Sequence, residues 1–344
     1  MTILQLSEAH IIGAVISFLV SLFIVPAVIY FSRKKGLVDE PGGRKIHDHP
    51  VPRLGGVAVW TSTMLTFLFL VFLSYYPYGS LLSGILLGSS LMFLLGLIDD
   101  IYCLDAKFKL FIQLAVATIV YCLGIRIEDV YLPFGISFHL GFLSWFVTTA
   151  WIVGVSNAVN FIDGIDGLAG SLISVSAVTL GLTAAAMSST GMVSPLIAFI
   201  LAGAMLAFLT YNFSPAKIFM GDSGALFSGF LLATLSITGV MQADSTAMWV
   251  PVLVLFVPIF DITFASVRRI LKGTSPFVAD AEHIHHKLLK AGLSQNKAVL
   301  LLTIISVIFG AIGVLLINVS IMKYFLYAMA LSAIMLILNF QARK

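Results

Sequence analysis

The chain has 344 residues, of which 60% are hydrophobic and only 10% are charged, and its mean hydropathy is +1.07. This composition excludes a water-soluble globular protein, because a chain of this size could not bury so much apolar side chain in a soluble core. Two cysteines, Cys103 and Cys122, also argue against a disulfide framework. The sequence therefore predicts an integral membrane protein.

Apolar runs long enough to cross a bilayer as helices, roughly 17–25 residues each, follow one another along the chain. We predict an all-α, polytopic membrane protein with about eleven transmembrane helices and a single domain over residues 1–344. The segment 125–141 alternates in polarity and contains Pro133 and Gly135, which predicts a small hairpin. The predicted helices are 9–32, 54–75, 81–98, 108–125, 142–160, 167–188, 194–212, 224–242, 248–270, 297–319 and 322–341.

Positive charge predicts the orientation of these helices. If the segment 33–53 is placed inside, seventeen of the nineteen Lys and Arg residues fall on the inner side, and only Arg126 and Lys323 fall outside. This asymmetry predicts an outer N-terminus and a cytoplasmic C-terminus. Most of the acidic residues and histidines fall on the inner face too, which the positive-inside rule does not require. We therefore expect a functional site on the cytoplasmic face.

The segment 157–170, with the sequence N-A-V-N-F-I-D-G-I-D-G-L-A-G, holds polar residues at intervals of three between two apolar runs. If it is helical, Asn157, Asn160, Asp163 and Asp166 form one stripe along the helix. Carboxylates beside apolar spans usually face a cation, a partner group or water. Two Asp-Gly turns that join two helices are the structural alternative.

Two further inner segments carry candidate phosphate and cation ligands. Lys45, His47 and Arg53 lie in K-I-H-D-H-P-V-P-R-L-G-G and offer donors suited to phosphate oxygens, although contact with anionic lipid would also explain them. Asp99 and Asp100 end the third predicted helix. Adjacent carboxylates repel each other, so a bound cation or a raised pKa is the usual way to hold them together. A solvated helix end is the alternative.

The last two inner segments add an acid before a helix and a group of histidines. In N-F-S-P-A-K-I-F-M-G-D-S-G, Asp222 precedes a predicted helix, where it could hold Mg²⁺ against a phosphate or simply cap the helix. In A-E-H-I-H-H-K-L, a helix would place His283 and His286 on one face and His285 elsewhere. Contact with phosphate explains them better than a zinc site, and a helix on lipid headgroups is the alternative.

Together, these segments predict a site for a divalent cation and a phosphate, where positioning and charge neutralisation supply most of the catalysis. The sequence holds no G-x-x-x-x-G-K-S/T motif, which argues against a P-loop ATPase. A transporter is the alternative from another class, since intramembrane carboxylates are typical of transporters. The polar residues gather at one face rather than at the midplane, and no internal repeat is visible, which disfavours it.

The motifs P-R-L-G-G, L-I-D-D, N-x-x-D-G-I-D-G-L, F-M-G-D-S-G and H-I-H-H resemble those of the polyprenyl-phosphate N-acetylhexosamine-1-phosphate transferase family. The resemblance implies transfer of a sugar-1-phosphate from a UDP-sugar to undecaprenyl phosphate, with Mg²⁺ (or Mn²⁺) and release of UMP. Lys107, Gln113 and H-I-H-H resemble the GlcNAc-1-phosphate branch. Cys103, where a Lys is typical, argues against the phospho-MurNAc-pentapeptide transferase branch, which stays the alternative.

The resemblance also implies roles for individual residues. Asp222 is expected as the principal metal ligand with Asp99 and Asp100, and Asp99 as the base for the lipid phosphate. A direct attack and a covalent aspartyl intermediate both stay open. Apart from the resemblance, Asp261 lies near Pro258 in the ninth predicted helix and is expected to be structural, paired with Arg268, with a binding role as the alternative. The expected catalytic residues are Asp99, Asp100, Asp163, Asp166, His283, His285 and His286, and the expected substrate-binding residues are Lys45, His47, Arg53, Asn157, Asn160, Asn212 and Phe219.

The expected partners are UDP-GlcNAc, undecaprenyl phosphate and the lipid bilayer, without nucleic acid and with a homodimer as a further expectation. The expected location is the bacterial inner membrane, with the active site facing the cytoplasm, where the product would start a cell-envelope polysaccharide.

Overall fold

A computed structural model describes residues 8–41, 49–73, 79–132, 136–187, 193–242, 247–273 and 283–317. The described chain is a helical bundle with two small antiparallel hairpins. Its helices are α1 (Glu8–Lys35), α2 (Gly55–Phe72), α3 (Ser80–Tyr102), α4 (Ala106–Cys122), α5 (Leu143–Ile162), α6 (Leu168–Met187), α7 (Val193–Asn212), α8 (Gly221–Ser236), α9 (Val250–Val254), α10 (Phe256–Leu271), α11 (Ile284–Lys290) and α12 (Gln295–Ile317).

Eight helices in the described residues are long and apolar enough to cross a membrane, and α8 is one of them because a π-helical segment, Ile237–Met241, extends it. The predicted span 108–125 is the 17-residue helix α4. The predicted span 248–270 is divided into α9 and α10 at Leu255. The predicted span 322–341 lies outside the described residues. The polytopic helical fold is confirmed, and the count of eleven stays a prediction, as does the orientation.

The predicted hairpin is present as strands β3 (Asp129–Leu132) and β4 (Ile136–His139), in which Asp129 is opposite His139. A shorter ladder joins β1 (Val38–Asp39) to β2 (Val51–Pro52) between α1 and α2. Both cysteines are free and exposed, which confirms that they form no disulfide.

Helices α6, α7 and α8 form the centre of the bundle, whereas α1 and α12 expose most of their apolar side chains. Small and hydroxylated residues allow this close packing. The hydroxyls of Ser171 and Thr179 on the buried helix α6 donate to the carbonyls of Gly167 and Val175, one turn earlier, so that these two hydroxyls are satisfied. On α7, a Cβ at Gly203 would lie 2.1 Å from the Ala14 carbonyl oxygen, so α1 and α7 cross almost in backbone contact.

Glycines also bring the first turn of α8 between α2 and α3. A Cβ at Gly56 of α2 would lie 2.1 Å from the backbone nitrogen of Gly224. A Cβ at Gly96 of α3 would lie 2.4 Å from the carbonyl oxygen of Asp222. Backbone hydrogen bonds from Gly55 to Phe219 and from Gly56 to Met220 fix the segment before α8 against α2. This convergence of three helices positions the candidate site.

Candidate active site

A cavity of about 460 Å³ lies at the end of the bundle where the predicted inner loops meet. Nine predicted site residues line it together with residues that were not predicted. Loops that lie far apart in the sequence therefore line a single cavity. Its lining is Asp39, His49, Val51, Arg53, Asp100, Asn160, Asp163, Gly164, Ile165, Asp166, Asn212, Ser214, Pro215, Ala216, Phe219, Gly221, Asp222, His286 and Gln295.

Asp100 fixes the start of α8. Its Oδ1 accepts the backbone N–H of Asp222 at 2.8 Å, and its Oδ2 accepts that of Ser223 at 3.0 Å. These are free N–H groups of a first helical turn, whose dipole favours a negative charge. Gly221 makes the contact possible, because its φ is +70° and a Cβ there would lie 2.6 Å from Asp100 Oδ2.

Lys109 connects two of the predicted aspartates and was not predicted as a site residue. Its Nζ lies 2.8 Å from Asp99 Oδ2 and 2.8 Å from Asp222 Oδ2. The other oxygen of Asp99, Oδ1, accepts the backbone N–H of Leu104 at 2.7 Å. Asp99 is thus held beside the cavity and is not among its described lining residues, whereas Asp222 is. Asp99, Asp100, Lys109 and Asp222 are called the carboxylate centre below.

The segment 157–170 is helical as far as Ile162 and forms a turn over residues 163–167, which combines the two alternatives considered from the sequence. Helix α5 ends at Ile162, and the next two acids lie in the turn that leads to α6. Asp166 Oδ2 accepts the backbone N–H of Ala216 at 3.0 Å, which links this turn to the 213–220 segment. The single helical stripe of four polar residues is therefore wrong beyond Asn160.

Asp163 lies among other acids, and these surroundings favour its protonated form. Burial raises the pKa of this carboxyl from 3.8 to about 7. The negative charges of Asp222, Asp100 and Asp166 contribute to the shift after burial. A cavity with this charge favours a cation or a proton over free carboxylates.

Asn157 does not line the cavity. Its amide exchanges hydrogen bonds with Gln113, at 2.6 Å from Asn157 Nδ2 to Gln113 Oε1 and 3.3 Å in the other direction. The pair joins α4 to α5 inside the bundle, which satisfies two amides that would otherwise face an apolar environment. The predicted contact of Asn157 with substrate is replaced by this link between helices.

Asn212 lines the cavity but holds the surrounding backbone. Its Oδ1 accepts the N–H of Gly167 at 3.1 Å, and its Nδ2 donates to the carbonyl of Ile218 at 2.9 Å. It thus ties the turn after α5 to the segment before α8. Phe219, whose N–H donates to Pro52, also lines the cavity and offers an aromatic ring there.

Arg53 places a cation at the acidic cavity. Its Nε is buried without a hydrogen-bond partner among the described residues, and the side chain lines the cavity. A buried guanidinium donor with no acceptor is costly, and phosphate oxygens are its natural partners. The other two predicted donors of this loop, Lys45 and His47, lie outside the described residues.

The histidines occupy three different environments, so the predicted shared face of His283 and His286 is wrong. His283 precedes α11, is buried, and its Nδ1 donates to Asp261 Oδ2 at 2.8 Å. Asp261 Oδ1 also accepts the N–H of Ile284 at 2.7 Å, so its structural role is directed at α11 and not, as predicted, at Arg268. His286 lines the cavity. Asp261, His283, His285 and His286 are called the histidine cluster below.

His285 is 1% exposed, and neither ring nitrogen has a hydrogen-bond partner among the described residues. Its Nε2 would lie 2.2 Å from a Cβ at Gly164, so the ring packs directly on the D-G-I-D-G turn. Burial first, and then the charge of His286, lowers the pKa of this imidazole to about 4. His285 is therefore a neutral packing residue between α11 and the turn.

Four polar residues of the cavity lining were not predicted as site residues: Asp39, His49, Ser214 and Gln295. Gln295 begins α12, and its Oε1 lies 3.4 Å from the hydroxyl of Ser214. Polarity at the ends of predicted helices was the available signal for these residues. That signal is shared by many solvated loop residues, so it did not select them.

The fold and the cavity define a class: a polytopic membrane protein with an acidic, phosphate-compatible cavity at one end of its helices. Comparison with known proteins makes the class specific. Residues 82–240 match the model of glycosyl transferase family 4.

Several relatives match over most of their length. A probable undecaprenyl-phosphate N-acetylglucosaminyl 1-phosphate transferase of Bacillus subtilis is 37% identical over 308 residues, which cover 89% of this chain and 84% of the relative. The undecaprenyl-phosphate alpha-N-acetylglucosaminyl 1-phosphate transferase of Escherichia coli K12 is 30% identical, with 86% and 82% covered. A decaprenyl-phosphate N-acetylglucosaminephosphotransferase of Mycobacterium tuberculosis is 32% identical, with 86% and 80% covered. The chain belongs to the polyprenyl-phosphate N-acetylhexosamine-1-phosphate transferase family.

Proposed function

We propose that this protein transfers GlcNAc-1-phosphate from UDP-GlcNAc to undecaprenyl phosphate, giving undecaprenyl-diphosphate-GlcNAc and UMP. The observation that carries the proposal is the cavity, in which carboxylates from four separate segments line the same space as Arg53, whose Nε is buried. Such a cavity suits a diphosphate with a bound cation. The names of the relatives support GlcNAc as the sugar and a polyprenyl phosphate as the acceptor.

The reaction is a single displacement at phosphorus. An oxygen of the lipid phosphate attacks the phosphorus that carries the sugar, and a new P–O–P bond forms. The P–O bond to UMP breaks, and UMP leaves with the bonding electron pair. The protein must therefore hold two anionic groups close together, which requires positive charge at the reacting oxygens.

The donor set in the cavity fits Mg²⁺ or Mn²⁺. Among the described residues, no three His, Cys, Asp or Glu side chains form a ready metal cage. Mg²⁺ does not need one, because it usually takes one or two carboxylates and keeps waters and substrate phosphate oxygens. Asp222 would hold it, with Asn160, whose side chain lies beside Asp222 and lines the same cavity. When bound, the cation would neutralise the charge of the diphosphate.

In our proposal, Asp99 and Asp100 do not bind the metal but hold Asp222 in position. Both oxygens of Asp100 accept N–H groups of α8, and one oxygen of Asp99 faces Lys109, so both position Asp222. Asp163 replaces Asp99 as the proposed base. It lines the cavity, where it would take the proton from the fraction of lipid phosphate that carries one near neutral pH.

The uracil and ribose would lie at the Phe219 side of the cavity, where an aromatic ring is available for stacking. Arg53 and His286 would contact the diphosphate or the sugar. The cavity would face the cytoplasm at the bacterial inner membrane, because the positive-inside rule places its loops there. A reporter after Lys344 is therefore expected to read cytoplasmic, and one inserted at Gly135 periplasmic.

Mass spectrometry of the lipid product tests the function. Purified protein in detergent is incubated with undecaprenyl phosphate, Mg²⁺ and, one at a time, UDP-GlcNAc, other UDP-sugars and UDP-MurNAc-pentapeptide. The expected result is a lipid-linked GlcNAc diphosphate and one UMP per product. A product formed only from UDP-MurNAc-pentapeptide would assign the other branch. A transferase forms its product in detergent, whereas a transporter needs a sealed membrane and forms no product there. The absence of lipid product with every donor would therefore contradict a transferase.

A further inference from the structure

Lys109 belongs to the carboxylate centre, although neither the sequence motifs nor the names of the relatives indicate a role for it. It lies in the first turn of α4, and its ammonium contacts carboxylates from two other helices, α3 and α8. Both contacts are 2.8 Å, so Asp99 Oδ2 and Asp222 Oδ2 are at most twice that distance apart. Such a pair of carboxylates is held together by a cation between them or by a proton on one of them, and here the protein supplies an ammonium.

The three side chains are partly shielded from water, which strengthens the interaction of the ammonium with the two carboxylates. Lys109 is 22% exposed, Asp99 12% and Asp222 28%. Charges so far removed from water interact more strongly than those of a surface salt bridge, and salt screens them less. The ammonium occupies one oxygen of Asp222, the same carboxylate that lines the cavity. A divalent cation bound to Asp222 would therefore compete with the ammonium of Lys109 for the same carboxylate.

We propose that Lys109 is a built-in counter-cation that stabilises the Asp99–Asp222 pair in the metal-free protein and is displaced when Mg²⁺ binds. The inference rests on the proposed function in one respect, namely that Asp222 is a metal ligand. The displaced ammonium, carried on a flexible stem, then becomes available to another anion at the same end of the bundle. Lys109 is thus a positioning residue for the carboxylates, and it sets how tightly the metal binds.

The first experiment measures Mg²⁺ binding by calorimetry without either substrate, in full-length protein in detergent. Lys109→Met removes the competing ammonium and keeps the length of the side chain. The Mg²⁺ dissociation constant is expected to fall about tenfold, which corresponds to about 1.4 kcal/mol. The melting temperature in EDTA is expected to fall as well, because the two carboxylates then repel each other, and added Mg²⁺ restores it.

Lys107→Met is the matched control, since Lys107 lies in the same turn of α4, carries the same charge and is exposed. It should leave both the dissociation constant and the melting temperature in EDTA unchanged. Lys109→Arg keeps the cation and should resemble the wild-type protein. If Lys109→Met binds Mg²⁺ with unchanged or weaker affinity, Lys109 does not compete with the metal and the proposal is overturned.

A second measurement uses the wild-type protein, so it does not depend on whether a variant folds. An amine-reactive, water-soluble reagent labels the protein with and without Mg²⁺, and mass spectrometry reports the extent at each lysine. Mg²⁺ should increase the labelling of Lys109 severalfold and leave Lys107 unchanged. Equal or slower labelling of Lys109 with Mg²⁺ would show that the ammonium stays in place. Neither measurement uses UDP-sugar or lipid, so a wrong donor or acceptor would not alter them.

Discussion

The carboxylate centre and the histidine cluster contribute to the same cavity but are held by opposite kinds of interaction. The carboxylate centre lies on three long helices and is fixed by an ammonium and three backbone N–H groups. The histidine cluster is carried by α11, a helix of seven residues, and is fixed by one buried aspartate and by ring packing on a glycine. Charge positions the first region, whereas desolvation and shape position the second.

The two regions are therefore suited to different tasks, although the sequence motifs predicted both as parts of one catalytic site. A metal and a diphosphate require negative and positive charges held rigidly, which long packed helices provide. A short helix that packs on the turn after α5 and contributes His286 to the cavity needs fewer charges of its own. The predictions below test whether the two regions respond differently, beginning with the largest expected effect.

Gly221→Ala should break the carboxylate centre. The new Cβ would meet the Arg53 carbonyl and Asp100 at a positive φ, so the first turn of α8 must shift. The expected loss is more than about 3 kcal/mol of stability, the upper end for one substitution, with loss of transfer activity. Gly36→Ala is the control, because Gly36 has a φ of +69° and nothing within 4 Å of its Cβ position. It should lose only about 1–2 kcal/mol, and equal melting temperatures for the two variants would contradict the clash.

Asp261→Ala should loosen the histidine cluster without touching the carboxylate centre. It leaves the buried donor His283 Nδ1 without an acceptor, at about 1–3 kcal/mol, and also the partly buried Ile284 N–H, at a smaller cost. Asp261→Asn retains one carbonyl oxygen and should lose about half as much. Thermal melting ranks the variants, and calorimetric Mg²⁺ affinity should stay at the wild-type value in both. A large loss of Mg²⁺ affinity would show that the two regions are coupled.

Phe219→Ala tests which substrate uses the aromatic side of the cavity. Loss of base stacking is worth about 1–3 kcal/mol, so the apparent KM for UDP-GlcNAc should rise about five- to hundredfold. The KM for undecaprenyl phosphate should change little. Steady-state kinetics on folded protein decide the outcome. Equal increases in both KM values would make Phe219 a structural residue.

His285→Gln tests the charge state of the histidine cluster through pH. The folded-state pKa of about 4 lies below the usual 6.5, so the unfolded chain binds the proton more readily between these values. Stability contributed by the neutral ring is therefore present above pH 6.5 and lost as pH falls toward 4. The wild type should lose more melting temperature than the variant between pH 7.5 and 5. Parallel curves would mean that His285 is not buried as a neutral ring.

Much of the fold follows from the sequence because lipid enforces long apolar runs. Predicted and observed helix ends agree closely for α2, α5, α6 and α7. The sequence also predicted that the polar loops lie together, because the distribution of Lys and Arg assigns these loops to one side of the membrane. The break at Leu255 was missed, because α9 and α10 together read as one apolar run.

Individual contacts could not be predicted, because they depend on rotation around packed helices. Asp99 and Asp100 are adjacent, yet about 100° of helical rotation separates them, so one meets Lys109 and the other the start of α8. Asn157 and Asn160 differ by three residues, and only the second lines the cavity. Lys109 reads in sequence as an ordinary positive-inside residue. Its pairing requires three helices to meet, which no spacing along one helix reveals.

The most direct test of the central claim, that the carboxylate centre holds the metal at which transfer occurs, is the transfer rate as a function of Mg²⁺. The rate of radiolabelled lipid formation is measured for wild type, Asp222→Asn and Asp129→Asn, an equivalent substitution in the exposed β3–β4 hairpin. Loss of several kcal/mol of charge stabilisation predicts a fall of about a hundredfold or more for Asp222→Asn. The wild type and Asp129→Asn should share one Mg²⁺ dependence and stop in EDTA. Wild-type turnover in EDTA, or an unchanged rate and Mg²⁺ dependence in Asp222→Asn, would contradict the account.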